Sequence, residues 1–191
     1  MDKPTIVLGS KSPRRQALVK ELGFPVEIRI QEVDEIYPEA LSPRDVPAYL
    51  AELKAQPLIS ALKSNEVLLT SDTIVLLDNE VIGKPTSEED AIRMLKKLSG
   101  KKHEVITGVY LSSLEKKIIF SAITEVYFSE ITEAEIKHYV STHKPMDKAG
   151  SYAIQEWIGF IGVEKIEGCY YNVMGLPLNR VYAEMKKNFM R

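Results

Sequence analysis

The chain has 191 residues, 45 % of them hydrophobic, which is enough to build one core with an appended lobe and too much for a chain whose main state is disorder. Its 25 Lys and Arg face 27 Asp and Glu, a formal net charge of -2 without the basic excess of a duplex-binding domain, so a nucleic-acid partner is not expected. The single cysteine, Cys169, can form neither an internal disulfide nor a zinc cluster, and the three histidines lack metal-ligand spacing, so a cytoplasmic protein without a structural transition metal is expected.

In chain order, Thr5 to Leu8 is an apolar run ending at Gly9, a buried strand. It is too short for the apolar core of a signal peptide. Ser12-Pro13 then provides a helix cap and a first helical proline, with Gly23 ending the helix after Leu22. Val26, Ile28 and Ile30 alternate with charged neighbours and predict a second strand over Phe24 to Ile30. Ser42-Pro43 repeats the cap-plus-proline signal for a helical stretch to about Lys63, which Pro47 and Pro57 are expected to interrupt.

Val67 to Leu77 reads as a long strand, turned by Asp78-Asn79 into a short one ending at Gly83. Ser87-Glu88-Glu89-Asp90 caps a helix that stops at Gly100. Strands follow at about 103 to 112 and 117 to 129, joined by the polar turn 113 to 116 as a hairpin. Thr132 to Glu135 is a second capping box, for a helix to about Ser141. Residues 151 to 173, rich in Tyr, Ile, Phe and Val, predict further strands, and Pro177 opens a last helix to about Asn188. The longest apolar stretch here, Trp157 to Val163, is far below the ~20 residues that span a bilayer, so no membrane role is expected. The alternation gives an α/β class with a mixed twisted sheet, flanking helices and a single domain over residues 1–191.

Charge is unevenly spread along this order. Residues 1–20 carry five bases and one acid, 21–90 five and fifteen, and 91–191 fifteen and eleven. The basic start contains Gly9-Ser10-Lys11-Ser12-Pro13-Arg14-Arg15, between a strand and a helix. Free N-H groups and the helix dipole make such a turn an anion site, and two arginines add bidentate phosphate donors. An ordinary cap with solvated bases is the other reading, although cations at a helix N-terminus oppose its dipole.

The acidic segment contains Asp72, in the middle of the apolar strand. A carboxylate there must be paired, hydrogen-bonded or metal-bound, or else lie at a sheet edge satisfied by Ser71 or Thr73. Asp34-Glu35 suits a Mg²⁺ site, which takes one or two carboxylates plus substrate phosphate, or is a pair of surface acids. Lys84, between Gly83 and Pro85 at a strand end, is placed to meet an anion or water, and Lys54 reads as a solvated base on a helix. In Asp147-Lys148-Ala149-Gly150-Ser151-Tyr152-Ala153-Ile154-Gln155, small residues allow close backbone approach, and Gln155 can read a base edge with one donor and one acceptor.

Five segments in order, Ser10 to Arg15, Ser71 to Val75, Gly83-Lys84-Pro85, Asp147 to Tyr152 and Gly175 to Leu178, resemble the Maf family of nucleoside triphosphate pyrophosphatases. The resemblance implies an elongated, two-lobed fold like that of inosine triphosphate pyrophosphatases, with a central cleft. It also implies cleavage between the α and β phosphates with a divalent cation, Mg²⁺ or Mn²⁺, and a homodimer. Residue by residue, Asp72 matches the family's proton acceptor, and Asp72 with Glu35 would hold the metal. Ser10, Arg15, Lys54 and Lys84 match phosphate-contacting positions, and Arg14, Thr73 and Gln155 match positions tied to substrate choice. The run Lys-Ala-Gly-Ser-Tyr followed by Ile-Gln is similar to the branch acting on dTTP and UTP, although Ala153 and Glu156 stand where that branch often has glycine. A 7-methyl-GTP pyrophosphatase and a non-catalytic septation regulator are the alternatives the resemblance leaves.

Overall fold

The computed structural model describes residues 3–190. The strands are β1 (Thr5–Leu8), β2 (Val26–Ile28), β3 (Glu66–Leu77), β4 (Glu80–Ile82), β5 (Lys102–Ser112), β6 (Lys117–Phe128) and β7 (Val163–Glu167). The helices are α1 (Pro13–Lys20), α2 (Val46–Ile59), α3 (Glu88–Leu98), α4 (Glu133–His143), α5 (Trp157–Gly162), α6 (Tyr170–Val173) and α7 (Leu178–Asn188), with a 3-10 turn at Ala149–Ser151. The sheet order is β2-β1-β3-β5-β6-β7, with β4 paired to β3. β1 runs parallel to β2 and β3, whereas β4 on β3 and β7 on β6 are antiparallel, so the sheet is mixed as expected.

Local signals in the sequence account for the starts of α1, α3 and α4, whereas α2 begins at Val46, beyond the Ser42-Pro43 signal. Ser12, Ser87 and Thr132 each accept a hydrogen bond from a backbone N-H in the first turn of the helix they precede, and Thr132 with Glu135 completes a capping box. Two expectations are corrected. Pro47 lies in the first turn of α2, where its missing N-H costs nothing, and Pro57 lies inside the helix without ending it. The stretch 151–173 contains one strand, β7, and two short helices in place of a run of strands. Within α5, Gly159 permits a close approach: a Cβ there would stand 2.0 Å from the Ile154 carbonyl oxygen, so no side chain fits.

The chain divides into two compact units. The first comprises the chain up to Asp72, Thr107–Ala122, and the chain from Gly175 onward. Its apolar centre includes Val7, Ala51, Ala55, Leu58, Leu68 and Tyr110. α2 lies so close to β5 that a Cβ on Gly108 would stand 2.2 Å from the main chain of Pro47 and Ala48, and the Thr70 hydroxyl on β3 donates to the Ala51 carbonyl at 2.6 Å. These two contacts fix the helix that carries Lys54. The second unit comprises Thr73–Ile106 and Ile123–Met174. Its core gathers Val75, Leu95, Val126, Phe128, Tyr139 and Ile158.

Candidate active site

In the first unit the segment after β1 folds as the sequence predicts. The Ser12 hydroxyl caps α1 by accepting from the Arg15 N-H at 3.4 Å, and the buried Ser10 hydroxyl accepts from the Ser12 N-H at 3.2 Å. No acidic residue occupies the first turn of α1, where the dipole would favour one, and two arginines stand there instead.

Arg15 turns inward. Its Nε donates to the Gly175 carbonyl at 2.9 Å and one terminal nitrogen donates to the Ser71 carbonyl at 2.8 Å. Withdrawal from water pulls the guanidinium pKa below the usual arginine range, while the Asp72 carboxylate pulls the opposite way, followed by smaller influences of Arg14 and Glu35. One of the arginine's N-H donors thus holds the main chain next to Asp72, and another that of Gly175.

Asp72 is 8 % exposed, on β3 between Leu69, the last residue paired to β1, and Val75, the first paired to β4. Its partner is Lys54: Nζ lies 2.5 Å from Asp72 Oδ1 and 3.0 Å from Glu35 Oε1. Ser71 does not satisfy it, because the Ser71 hydroxyl is buried and has no hydrogen-bond partner among the described residues. Lys54, expected to be solvated, is instead the cation that joins the two carboxylates, with 17 % of its side chain exposed.

Two hard carboxylate oxygens that converge on one cationic centre, from one buried and one exposed residue, form a donor set that fits Mg²⁺ or Mn²⁺ once substrate oxygens or water complete the shell. No group of three or more His, Cys, Asp and Glu suited to a metal occurs among the described residues, so this pair depends on such added oxygens.

Thr73 follows Asp72 on β3 and belongs to the second unit, as do Lys84 and Gln155. Lys84 is exposed just beyond β4, and the preceding Gly83 carbonyl accepts from the Gly150 N-H at 3.0 Å. Gly150 has φ 69°, a conformation that only glycine adopts without strain, which fits the Lys-Ala-Gly run to this turn. Gln155 is half-buried, and its amide oxygen is shielded from water without a hydrogen-bond partner among the described residues. Sequence reasoning quoted Lys148 and Glu156 without a partner for either and did not single out Tyr139, which joins them here. Lys148 is 7 % exposed, with Nζ 2.8 Å from Asp147 and 3.3 Å from Glu156.

The family model described as Maf-like protein matches residues 5–188. The chain belongs to the Maf-like protein family. Relatives of this Maf-like chain include proteins named dTTP/UTP pyrophosphatase from Phocaeicola vulgatus, 50 % identical over 98 % of this chain and 97 % of the relative, and from Christiangramia forsetii, 48 % identical over 95 % and 93 %. A HAM1 protein structure from Coxiella burnetii superposes with TM-score 0.56 over 96 % of the Maf-like chain and 99 % of its own, at 16 % identity, which shows a shared fold. Among the described residues, no helix of the Maf-like chain is long and apolar enough to cross a membrane.

Proposed function

We propose that the protein hydrolyses UTP and dTTP between the α and β phosphates, releasing the nucleoside monophosphate and pyrophosphate. The observation that carries this reading is the pairing of Lys54 on α2 with both Glu35 and Asp72, the latter a carboxylate buried on β3. A buried carboxylate next to a cation is costly as mere structure and suits phosphoryl chemistry. Support for the substrate comes from relatives of matching length named dTTP/UTP pyrophosphatase.

In this reading water adds to the α-phosphorus and Asp72 accepts its proton as the new P–O bond forms. The bond to the bridging oxygen breaks, and pyrophosphate leaves with the bonding pair. Arg14, Lys54 and Lys84 balance the triphosphate charge, Ser10 donates its hydroxyl to a phosphate oxygen, and Arg15 holds the main chain on which Asp72 sits. Asp72 and Glu35 would hold the divalent cation that enzymes of this kind use, and when bound it supplies charge neutralisation at the phosphate oxygens. Thr73 orients the substrate beside Asp72.

Gln155 contributes base choice. Uracil and thymine share an imide N-H between two carbonyls, so an amide oxygen lacking a donor suits both, whereas cytosine presents no N-H at that ring position. The same preference would extend to modified pyrimidines that keep the imide and would keep such nucleotides out of nucleic acid. Pyrophosphate release from UTP, dTTP, CTP and 7-methyl-GTP with Mg²⁺ or Mn²⁺ tests the assignment. UTP and dTTP are expected to be fastest. A dominant rate on 7-methyl-GTP would overturn the base choice, and no release from any of them would overturn the reaction.

A further inference from the structure

Glu156 stands at the start of α5, yet its side chain makes no hydrogen bond to that helix's N-terminal N-H groups. Both carboxylate oxygens are committed elsewhere. Oε1 lies 3.3 Å from the ammonium of the buried Lys148, and Oε2 accepts the phenolic hydrogen of Tyr139, a residue of α4 with no exposure. Burial, then the bond to Glu156, raises the Tyr139 pKa above the usual phenol range, so the phenol remains a donor throughout physiological pH.

The main chain of the same residue closes a turn. The Glu156 N-H donates to the Ala153 carbonyl at 3.0 Å, which leaves Ile154 and Gln155 as the two corner residues. The Glu156 carbonyl accepts from Gly159 and Phe160 at 2.8 and 3.2 Å, and Gly159 lies against the Ile154 carbonyl with no room for a side chain. The turn that presents Gln155 is therefore held on one side by α5 and on the other by a carboxylate pinned between Lys148 and Tyr139.

From this geometry we infer that Glu156 is a positioning residue for Gln155: by tying the turn to Lys148 and Tyr139 it holds the Gln155 amide where it meets the imide edge of a uracil or thymine. The inference rests on the proposed function in giving Gln155 the base. Its physical requirement is that an amide recognise a base edge only if placed to within roughly 0.5 Å, a precision that an untethered surface turn does not supply. Lys148 and Tyr139 make no claim on the reacting atoms, so their effect passes through Glu156.

The test uses the full chain. Glu156→Gln removes the charge that pairs with Lys148 but keeps the turn's main-chain bonds, and Tyr139→Phe removes only the hydroxyl. Each is expected to raise KM for UTP and dTTP about five- to tenfold with kcat within about twofold, the pattern of lost binding shared by ground and transition state. In a Gln155→Ala background, Glu156→Gln is expected to add less than about twofold to KM, because the group it positions is already gone. Equilibrium binding of α,β-methylene-UTP, which cannot be cleaved at that bond, reads the same coupling without turnover. An unchanged KM and analogue affinity in both single variants, or a full Glu156→Gln effect that persists without Gln155, would overturn the inference. Thermal melts identify a variant that fails to fold, in which case Tyr139→Phe decides. A wild-type protein that binds the analogue with the expected coupling yet releases no pyrophosphate would sink the proposed reaction and leave the positioning role standing.

Discussion

His103 should make the stability of this protein fall steeply in mild acid. Its ring is 2 % exposed on β5, packed edge-on against Phe128 and Tyr152, and Nε2 lies 2.7 Å from the Tyr152 hydroxyl. Its Nδ1 has no hydrogen-bond partner among the described residues. Burial pushes the imidazole pKa from 6.5 down to about 4. Between these values the unfolded chain binds a proton that the folded chain does not, so stability rises with pH across the window and is lost as pH falls from about 6.5 toward 4. The slope in the window is about 1.4 kcal/mol per pH unit, giving a loss of about 2 kcal/mol by pH 5 and about 3 kcal/mol by pH 4.

The assay is urea denaturation of the wild type and His103→Gln from pH 7.5 to 4. Glutamine keeps a polar partner for Tyr152 and removes the titration. Carboxylates held low by lysines, such as Glu133, held at about 2 by Lys137 and then Lys96, destabilise in the same direction at lower pH but are common to both proteins and cancel in the difference. The wild type should lose about 2 kcal/mol more than His103→Gln between pH 7.5 and 5. Equal slopes for the two proteins would refute the reasoning, because the imidazole would then titrate alike in the folded and unfolded chains.

Further expectations concern the first unit. Asp72→Asn should lower kcat by about 10²–10⁴ while α,β-methylene-UTP still binds; near-native turnover at saturating Mg²⁺ would show that the carboxylate accepts no proton. Lys54→Met removes the ammonium that joins Asp72 and Glu35. It should raise KM for UTP and, in the absence of nucleotide, tighten Mn²⁺ binding measured by electron paramagnetic resonance, because the two carboxylates lose their internal counter-ion; weaker Mn²⁺ binding than wild type would contradict this. Gly108→Ala forces a Cβ to 2.2 Å from the main chain of Pro47 and Ala48, which cannot yield without moving α2. A loss of about 1–3 kcal/mol is expected by denaturation, with a reduced UTP rate because Lys54 moves with the helix.

What could be read from the chain before its structure was known is a matter of range. Helix caps act over three residues, so Ser12, Ser87 and Thr132 announced α1, α3 and α4 directly. The stretch 151–173 departs from its local signal: its Tyr, Ile, Phe and Val content favours strands, whereas the chain forms α5 there, with Gly159 packed against Ile154. Site residues divide the same way. Asp72 stands out as a charge among apolar neighbours, and the loop after β1 as a candidate anion site, because each is anomalous within its own few residues.

Their partners were not legible. Lys54 looks like any lysine on a helix until α2 packs against Thr70 and Gly108 and brings its ammonium to Asp72, eighteen positions later in the chain. Two of Arg15's N-H groups reach Ser71 and Gly175, the latter 160 positions away, which no local pattern reports. Lys148, Glu156 and Tyr139 form one network only because α4 passes the turn at Gln155. The sequence by itself determined which residues could not be left unpaired in a core, since desolvation cost belongs to the residue. Tertiary structure alone decided which group pairs with each, since that cost is offset by geometry that distant segments supply.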